Sequence, residues 1–400
     1  MNILMMTLMY PQDQIAEVTA NAKDKLQNQI NNYQRAFIEG IRANLSEGEQ
    51  LHIMNCLPVG IFPLQYRQLF LKSGKHDGGT IEQIGCINLP FFKQSGRRFS
   101  AYRAAERWVK RNPANRTILV YTQYLPYMQA LVRLKKRFSD VKVAVIVTDL
   151  PNEMGLETGR KGLLKQLETQ MGRESIECLR QMDAFILLTD PMADALQLRH
   201  KPYEVIEGLI LHNNMDKPKT DIPTQRPAFL YTGTLEKSLG IGEMLEAFSS
   251  MPEYDLWICG HGSMKEAVEE AARKHPNIHF FGFVAQQEAL AMQASATALL
   301  NPRQPSGVFT KYSFPSKTLE YMRSGKPVLC CRLEGIPKDY DAYLSYMDEG
   351  AEGICQSVRS LMRRSIEERD RMGQRARDYV LHKKNPEVQC KKLVELLHRL

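Results

Sequence analysis

The 400-residue sequence contains no run approaching the roughly 20 apolar residues that a helix needs to cross a bilayer. Its eight cysteines show no CxxC spacing and several sit inside apolar runs, the pattern of reduced core thiols rather than a disulfide framework. There is no internal repeat and no low-complexity segment. Also missing are a GxSxG elbow, a Walker A lysine loop, a DxD pair to hold a divalent metal, and the dinucleotide fingerprint after the first strand. His275 and His279 stand four apart, but Pro276 and Asn277 separate them and no Glu follows His275, so no metal site is expected. Met1 to Tyr10 is apolar without a basic lead-in or a small-residue cleavage site, and reads as a first strand rather than a signal peptide. A cytoplasmic protein is expected.

What is present is ordinary for a globular chain: 43% hydrophobic and 24% charged residues, with 25 Gly and 20 Pro. The length exceeds what one core organises, so two domains are expected. Short apolar runs at Ile3–Met9, Leu51–Cys56, Thr117–Tyr121, Val141–Thr148 and Ala184–Leu188 alternate with helical patterns at Lys25–Asn44, Ala101–Arg111, Tyr127–Phe138 and Lys161–Gln181. The second half repeats the design. Strands are expected at Ala228–Thr232, Asp255–Cys259, Ile278–Phe281, Ala298–Leu300 and Pro327–Cys331, with helices between them. Buried strands separated by helices predict an α/β protein with largely parallel, doubly wound sheets. Polar His212–Pro227, with three prolines, reads as a linker. The expected division is 1–211, linker 212–227, and 228–400, with the terminal helix crossing back to the first domain.

Three features of the second half can carry chemistry. Phe229–Gly233 is a strand ending in Gly, followed by Thr234, Lys237 and a helix opening near Gly240. Leu256–Gly262 runs into Gly260-His261-Gly262 and then a helix. Phe314-Pro315-Ser316-Lys317-Thr318-Leu319-Glu320 opens a third helix, with Ser316 as a candidate N-cap. Such turns present backbone N–H groups and a helix dipole to phosphate. Taken singly, each has a plainer reading: a tight turn, a surface cation at Lys317, a solvated helix charge at Glu320.

The order and spacing of the three together resemble the donor half of a GT-B glycosyltransferase, specifically the nucleotide-sugar-dependent family 4 (glycosyl transferases group 1), over roughly Phe229 to Leu400. The resemblance implies two Rossmann-like domains facing a cleft, with a nucleoside diphosphate sugar, UDP- or GDP-linked, as co-substrate and no cofactor or metal. It further implies that Gly233, Thr234, Lys237, Gly260, Gly262 and the Phe314, Pro315, Ser316 and Lys317 loop bind the donor. Glu320 would hold the ribose, while Phe283 and Val284 would line the nucleobase. Lys317, beside the helix-start amides, would stabilise the leaving diphosphate. Tyr312 stands where the family places a second Glu, Thr234 replaces its Arg, and Leu239 its Lys. Those departures motivate the alternative of a catalytically inactive, sugar-nucleotide-binding accessory subunit.

In the first half the family's Gly-rich loop is absent. Asp149, at the end of the strand Val143–Thr148, lies where a carboxylate meets the ligand crevice of a parallel sheet. It either orients an acceptor hydroxyl or acts as base, or else caps the following turn; Glu153 is a weaker candidate. The formal charge is +8, yet Lys93 to Lys142 alone carries thirteen basic residues against Glu106 and Asp140. Arg103, Arg107, Lys110 and Arg111 fall on neighbouring turns of one helix, with Phe91, Phe92 and Phe99 close by. This run reads as a surface for anionic membrane on the inner face, where a lipid-linked or glycan acceptor would be met. Its rivals are an ordinary solvated face and a site for an acidic soluble acceptor. Nucleic acid is not an expected partner, because no binding module accompanies the charge.

Overall fold

The structure is a computed structural model and describes residues 1–23, 26, 28–90, 92–150, 163–211, 226–305 and 308–400. Phe91, Glu153 and most of the expected linker lie outside the described residues. The chain forms two compact units: Met1–Leu209 with Pro386–Leu400, and Ile210–Asn385. All eight cysteines are unpaired, and all but Cys86 are buried.

In the first unit the strands are β1 (Asn2–Thr7), β2 (Gln50–Asn55), β3 (Phe70–Leu71), β4 (Gly74–His76), β5 (Ile81–Gln83), β6 (Cys86–Ile87), β7 (Arg116–Tyr121), β8 (Lys142–Val147), β9 (Ala184–Leu187) and β10 (Tyr203–Val205). Among the described residues eight of them form one sheet in the order β10-β9-β8-β7-β1-β2-β5-β4, with β3 and β6 in a separate antiparallel pair. Every pairing in the large sheet is parallel except that of the edge strand β4 with β5. The uninterrupted burial of Val143–Val147 and Ala184–Leu187 fits strands covered on both faces.

The helices of this unit are α1 (Ile15–Asn21), α2 (Asn28–Ala43), α3 (Phe92–Arg111), α4 (Leu125–Arg137), α5 (Leu163–Leu179) and α6 (Pro191–Ala195). The helix α3 begins at Phe92 rather than at Ala101, because its first turns bury two charged side chains, Lys93 and Arg97, in place of apolar ones. Both are thereby removed from the expected basic surface.

The second unit runs β11 (Ala228–Thr234), α7 (Ile241–Ser249), β12 (Asp255–His261), α8 (Lys265–Lys274), β13 (Ile278–Gly282), α9 (Gln286–Ser295), β14 (Ala298–Asn301), α10 (Ser316–Arg323), β15 (Val328–Cys331), β16 (Ser345–Met347), α11 (Gly350–Met362) and α12 (Ile366–Lys383). Its sheet, β13-β12-β11-β14-β15-β16, is parallel throughout. The strand order therefore reverses between β11 and β14, and ligands of such sheets bind outside the strand ends at that switch point. Helix α12 opens on a capping box in which Ser365 and Glu368 satisfy each other's backbone N–H groups.

The last helix, α13 (Pro386–His398), belongs to the first unit and packs on α2. Cys390, Leu393, Val394 and Leu397 join Phe37, Ile38 and Ile41 in one core with Ile3 and Met5. Gly40 permits the contact: a Cβ there would stand 2.3 Å from the Pro386 carbonyl oxygen.

Candidate functional site

The start of α10 is pinned at the β11/β14 switch point by two side-chain ties. Tyr321, fully buried, accepts a hydrogen bond from the Thr232 N–H at 2.8 Å and donates to the Thr232 carbonyl at 3.0 Å. Asn301, at the end of β14, donates to Thr318 Oγ1 at 3.1 Å. The turn Gly233-Thr234 and the first turn of α10 are thereby fixed relative to each other, and Ser316, Lys317 and Glu320 follow.

Ser316 is exposed and is the first residue of the helix rather than its cap. The cap position falls to Pro315, whose fixed φ suits a helix entry but which has no side chain able to accept from the helix-start amides. The start of α10 therefore has no side-chain cap. Glu320 is half-buried one turn on. It accepts from Gln293 Nε2 at 2.6 Å, and its two oxygens lie 3.2 and 3.1 Å from Lys317 Nζ. Gln293 projects from α9, is fully buried, and also reaches Thr232 Oγ1 at 3.4 Å, while its own Oε1 has no hydrogen-bond partner. Lys317 thus neutralises Glu320 in this structure.

Four of the expected contributors have structural duties. Phe314 is buried against Tyr340, with ring centroids 5.4 Å apart, so its side chain belongs to the core; Pro315 is buried beside it. Gly260 and Gly262 serve close strand packing, since a Cβ at either would stand 1.8 Å from the Gly233 carbonyl oxygen or 2.4 Å from that of Leu235. The turn after β12 is also already supplied with an anion. Glu236 accepts from the Ser263 N–H at 3.1 Å and from its hydroxyl, and these bonds hold the carboxyl below its usual range.

Other candidates remain accessible. Thr234 is exposed, and its carbonyl accepts from Tyr231 at 2.7 Å. Lys237 is exposed in a single 3-10 turn and pairs with no described carboxylate. Phe283 is 65% exposed and meets His261 edge-on at 5.6 Å, while Val284 packs against the core. Tyr312 is half-buried under the Lys311 ammonium.

In the first unit Asp149 reaches solvent just past the end of β8. Desolvation nevertheless raises its carboxyl above the usual range, against a 3.1 Å hydrogen bond from Thr148 Oγ1. Gln123 donates to its backbone carbonyl. A cavity of about 610 Å³ opens elsewhere in this unit, floored by Ile38, Ile53 and Ile81 and rimmed by Arg35 and Arg42, and none of the expected residues lines it. Among the described residues no cluster of three metal-binding side chains occurs, and no helix is long and apolar enough to cross a membrane.

Residues 226–364 match the family model "Glycosyl transferases group 1". Solved structures show the fold over the whole chain. A sucrose-phosphate synthase from Thermosynechococcus elongatus superposes with a TM-score of 0.63 at 14% identity, covering 100% of this chain and 98% of that one. The fold is that of the GT-B glycosyltransferases, and the second unit resembles the group 1 family. An E. coli structure described as trehalose-6-phosphate bound with UDP-2-fluoro glucose gives a TM-score of 0.67 at 9% identity, covering 100% and 99%. A glycosyltransferase from Rickettsia africae gives 0.62 at 12%, covering 100% and 98%. A search of curated proteins finds no match.

Thr232, Gln293 and Tyr321 were invisible as site residues in the sequence of this GT-B chain. Thr232 and Tyr321 are separated by 89 positions, and nothing local marks either. The one available signal is a glutamine, Gln293, on the buried side of a helix.

Proposed function

We propose that this chain transfers a sugar from a nucleoside diphosphate sugar to a glycan or lipid-linked acceptor, and that the donor binds at the start of α10. The observation that carries the reading is the conjunction at one switch point of a helix start without a side-chain cap, a held carboxylate and a lysine. The helix-start amides and Lys317, with Lys237 after the Gly233-Thr234 turn, would receive the diphosphate as negative charge develops on it. Glu320, accepting from ribose hydroxyls, would fix the nucleoside, and the exposed Phe283 ring offers a face to the base. Bond breaking between the sugar and the diphosphate is matched by bond formation to the acceptor oxygen, whose proton passes to Asp149. UDP is the first base to test, because one structure of the same fold carries a UDP sugar.

Glu320→Ala tests the assignment. Losing a charge-assisted hydrogen bond to ribose should weaken nucleotide binding by roughly 1.5–3 kcal/mol while the half-buried position leaves the fold intact. Titrating UDP and GDP into both proteins measures it, and equal affinities would remove the donor-site reading. A panel of nucleotide sugars with neither hydrolysis nor transfer would favour the accessory-subunit alternative.

The exposed face of α3 supports membrane docking as a second part of this reading. Arg98, Arg103, Arg107 and Lys110 lie along it with Phe92 and Phe99, 62% and 65% exposed. Its charge is partly spent within the unit: Arg103, Lys110 and Arg137 surround the buried Glu106, and Arg107 pairs with Glu82. Sedimentation with vesicles should show binding that needs anionic lipid and weakens with salt. Equal recovery with neutral vesicles would discard the docking claim alone.

A further inference from the structure

Lys93 and Arg97, one turn apart on α3, are only 6% and 5% exposed. The Lys93 ammonium donates to the Val59 carbonyl and, at 3.1 Å, to that of Gly60. The Arg97 guanidinium donates to the Leu57 carbonyl and, at 2.9 Å, to the Tyr124 hydroxyl. Its Nε is buried with no hydrogen-bond partner. Among the described residues no carboxylate pairs with either cation. Carbonyl dipoles orient such charges without neutralising them. Two like charges withdrawn from water side by side carry a desolvation cost that proteins usually offset with an acid. Burial, together with repulsion from Arg97, pulls the Lys93 ammonium down to about 8.

The pair sits at a defined place in the sheet. Leu57–Gly60 follows β2, Tyr124 follows β7, and Tyr10, which follows β1, donates from its hydroxyl to the Pro58 carbonyl at 3.1 Å. These are the carboxyl ends of three adjacent parallel strands, and the strand order reverses between β1 and β7. That is where a sheet of this kind receives a ligand.

We propose that Lys93 and Arg97 form an anion site that takes an oxyanion, phosphate or carboxylate, carried by the acceptor. The assignment rests on reading the first unit as the acceptor side of a transferase; the donor's phosphates have their own place at the start of α10. A compact oxyanion supplies the missing countercharge, suits the guanidinium edge and the ammonium together, and accepts from the Nε that the protein leaves unused.

Calorimetric titration of inorganic phosphate into the full chain, with UDP or GDP saturating whichever nucleotide site the protein shows, tests this. At pH 8 the wild type should bind phosphate with net proton uptake, seen as a dependence of the heat on buffer ionisation, because the anion favours the protonated Lys93. Lys93→Met should weaken binding by roughly tenfold or more and abolish the uptake. Lys93→Arg should keep the binding and lose the uptake, which covers the case in which the Met variant fails to fold. Three results would overturn the site: no phosphate binding, binding that vanishes once nucleotide is present, or uptake that persists in Lys93→Arg. Glu320→Ala serves as the control, since loss of nucleotide affinity there with an intact phosphate titration separates the two readings.

Discussion

The Nε2 of Gln293 lies 2.6 Å from Oε1 of Glu320, and the glutamine that makes this bond is completely buried. A glutamate held from one side by a buried amide and from the other by Lys317 has little rotamer freedom left to lose when it meets a ligand. Gln293→Leu keeps the volume and removes the bond. It should lower nucleotide affinity and shrink the preference for a ribonucleotide over its 2′,3′-dideoxy analogue, leaving pyrophosphate affinity unchanged. Competition titrations of the three ligands measure it; an unaltered ribose preference would reduce Gln293 to packing.

Tyr321→Phe should destabilise the second unit without touching any ligand. The change deletes one hydroxyl and strips both the N–H and the carbonyl of Thr232 of a buried partner. Each group so exposed costs about 1–3 kcal/mol. Denaturant unfolding of the whole protein, followed by a probe near Trp257, should show the transition of this unit moving to lower denaturant.

Asp149→Asn should lower turnover sharply while nucleotide affinity stays near wild type. The wild-type carboxyl has its range raised by desolvation, so its proton-accepting form is lost on acidification earlier than for an ordinary aspartate. The acid limb of the pH–rate profile should sit correspondingly high and vanish in the Asn variant. Normal turnover in that variant would return Asp149 to the polar end of a strand.

A pH effect on stability follows from Glu49. Although burial pushes its carboxyl up, hydrogen bonds from His398, the Ser46 N–H and the Met1 amino group outweigh it and hold the group at about 2. A carboxyl with a depressed folded pKa adds stability above its unfolded value and loses it as pH falls. The first unit should therefore weaken between about pH 4.5 and pH 2, by roughly 3 kcal/mol in all. Glu49→Gln should flatten that part of the melting-temperature profile.

Much of the α/β alternation was legible because its signals are local. Apolar runs such as Val143–Val147 and strand-to-glycine turns such as Thr232–Gly233 need no distant information. The short strands β3 to β6 escaped, since two or three residues cannot display a period. Polar residues misled in two ways. Lys93 and Arg97 broke the apolar pattern at the start of α3 and read as surface, although tertiary partners draw both inside. Ser316 read as a cap because serine often is one, whereas the preceding proline had already taken that position. Lys317 and Glu320 were visible as a spacing on one helix; the amide that holds Glu320 comes from another.

The return of α13 to the first unit has a consequence for the order of synthesis. The face of α2 that carries Phe37, Ile38 and Ile41 emerges from the ribosome long before Cys390, Leu393 and Leu397 exist to cover it. The second unit can complete its sheet while the first still waits for its final helix. A nascent chain of this protein therefore carries an uncovered apolar stripe through almost all of its translation, and any stop codon ahead of Pro386 would make that stripe permanent.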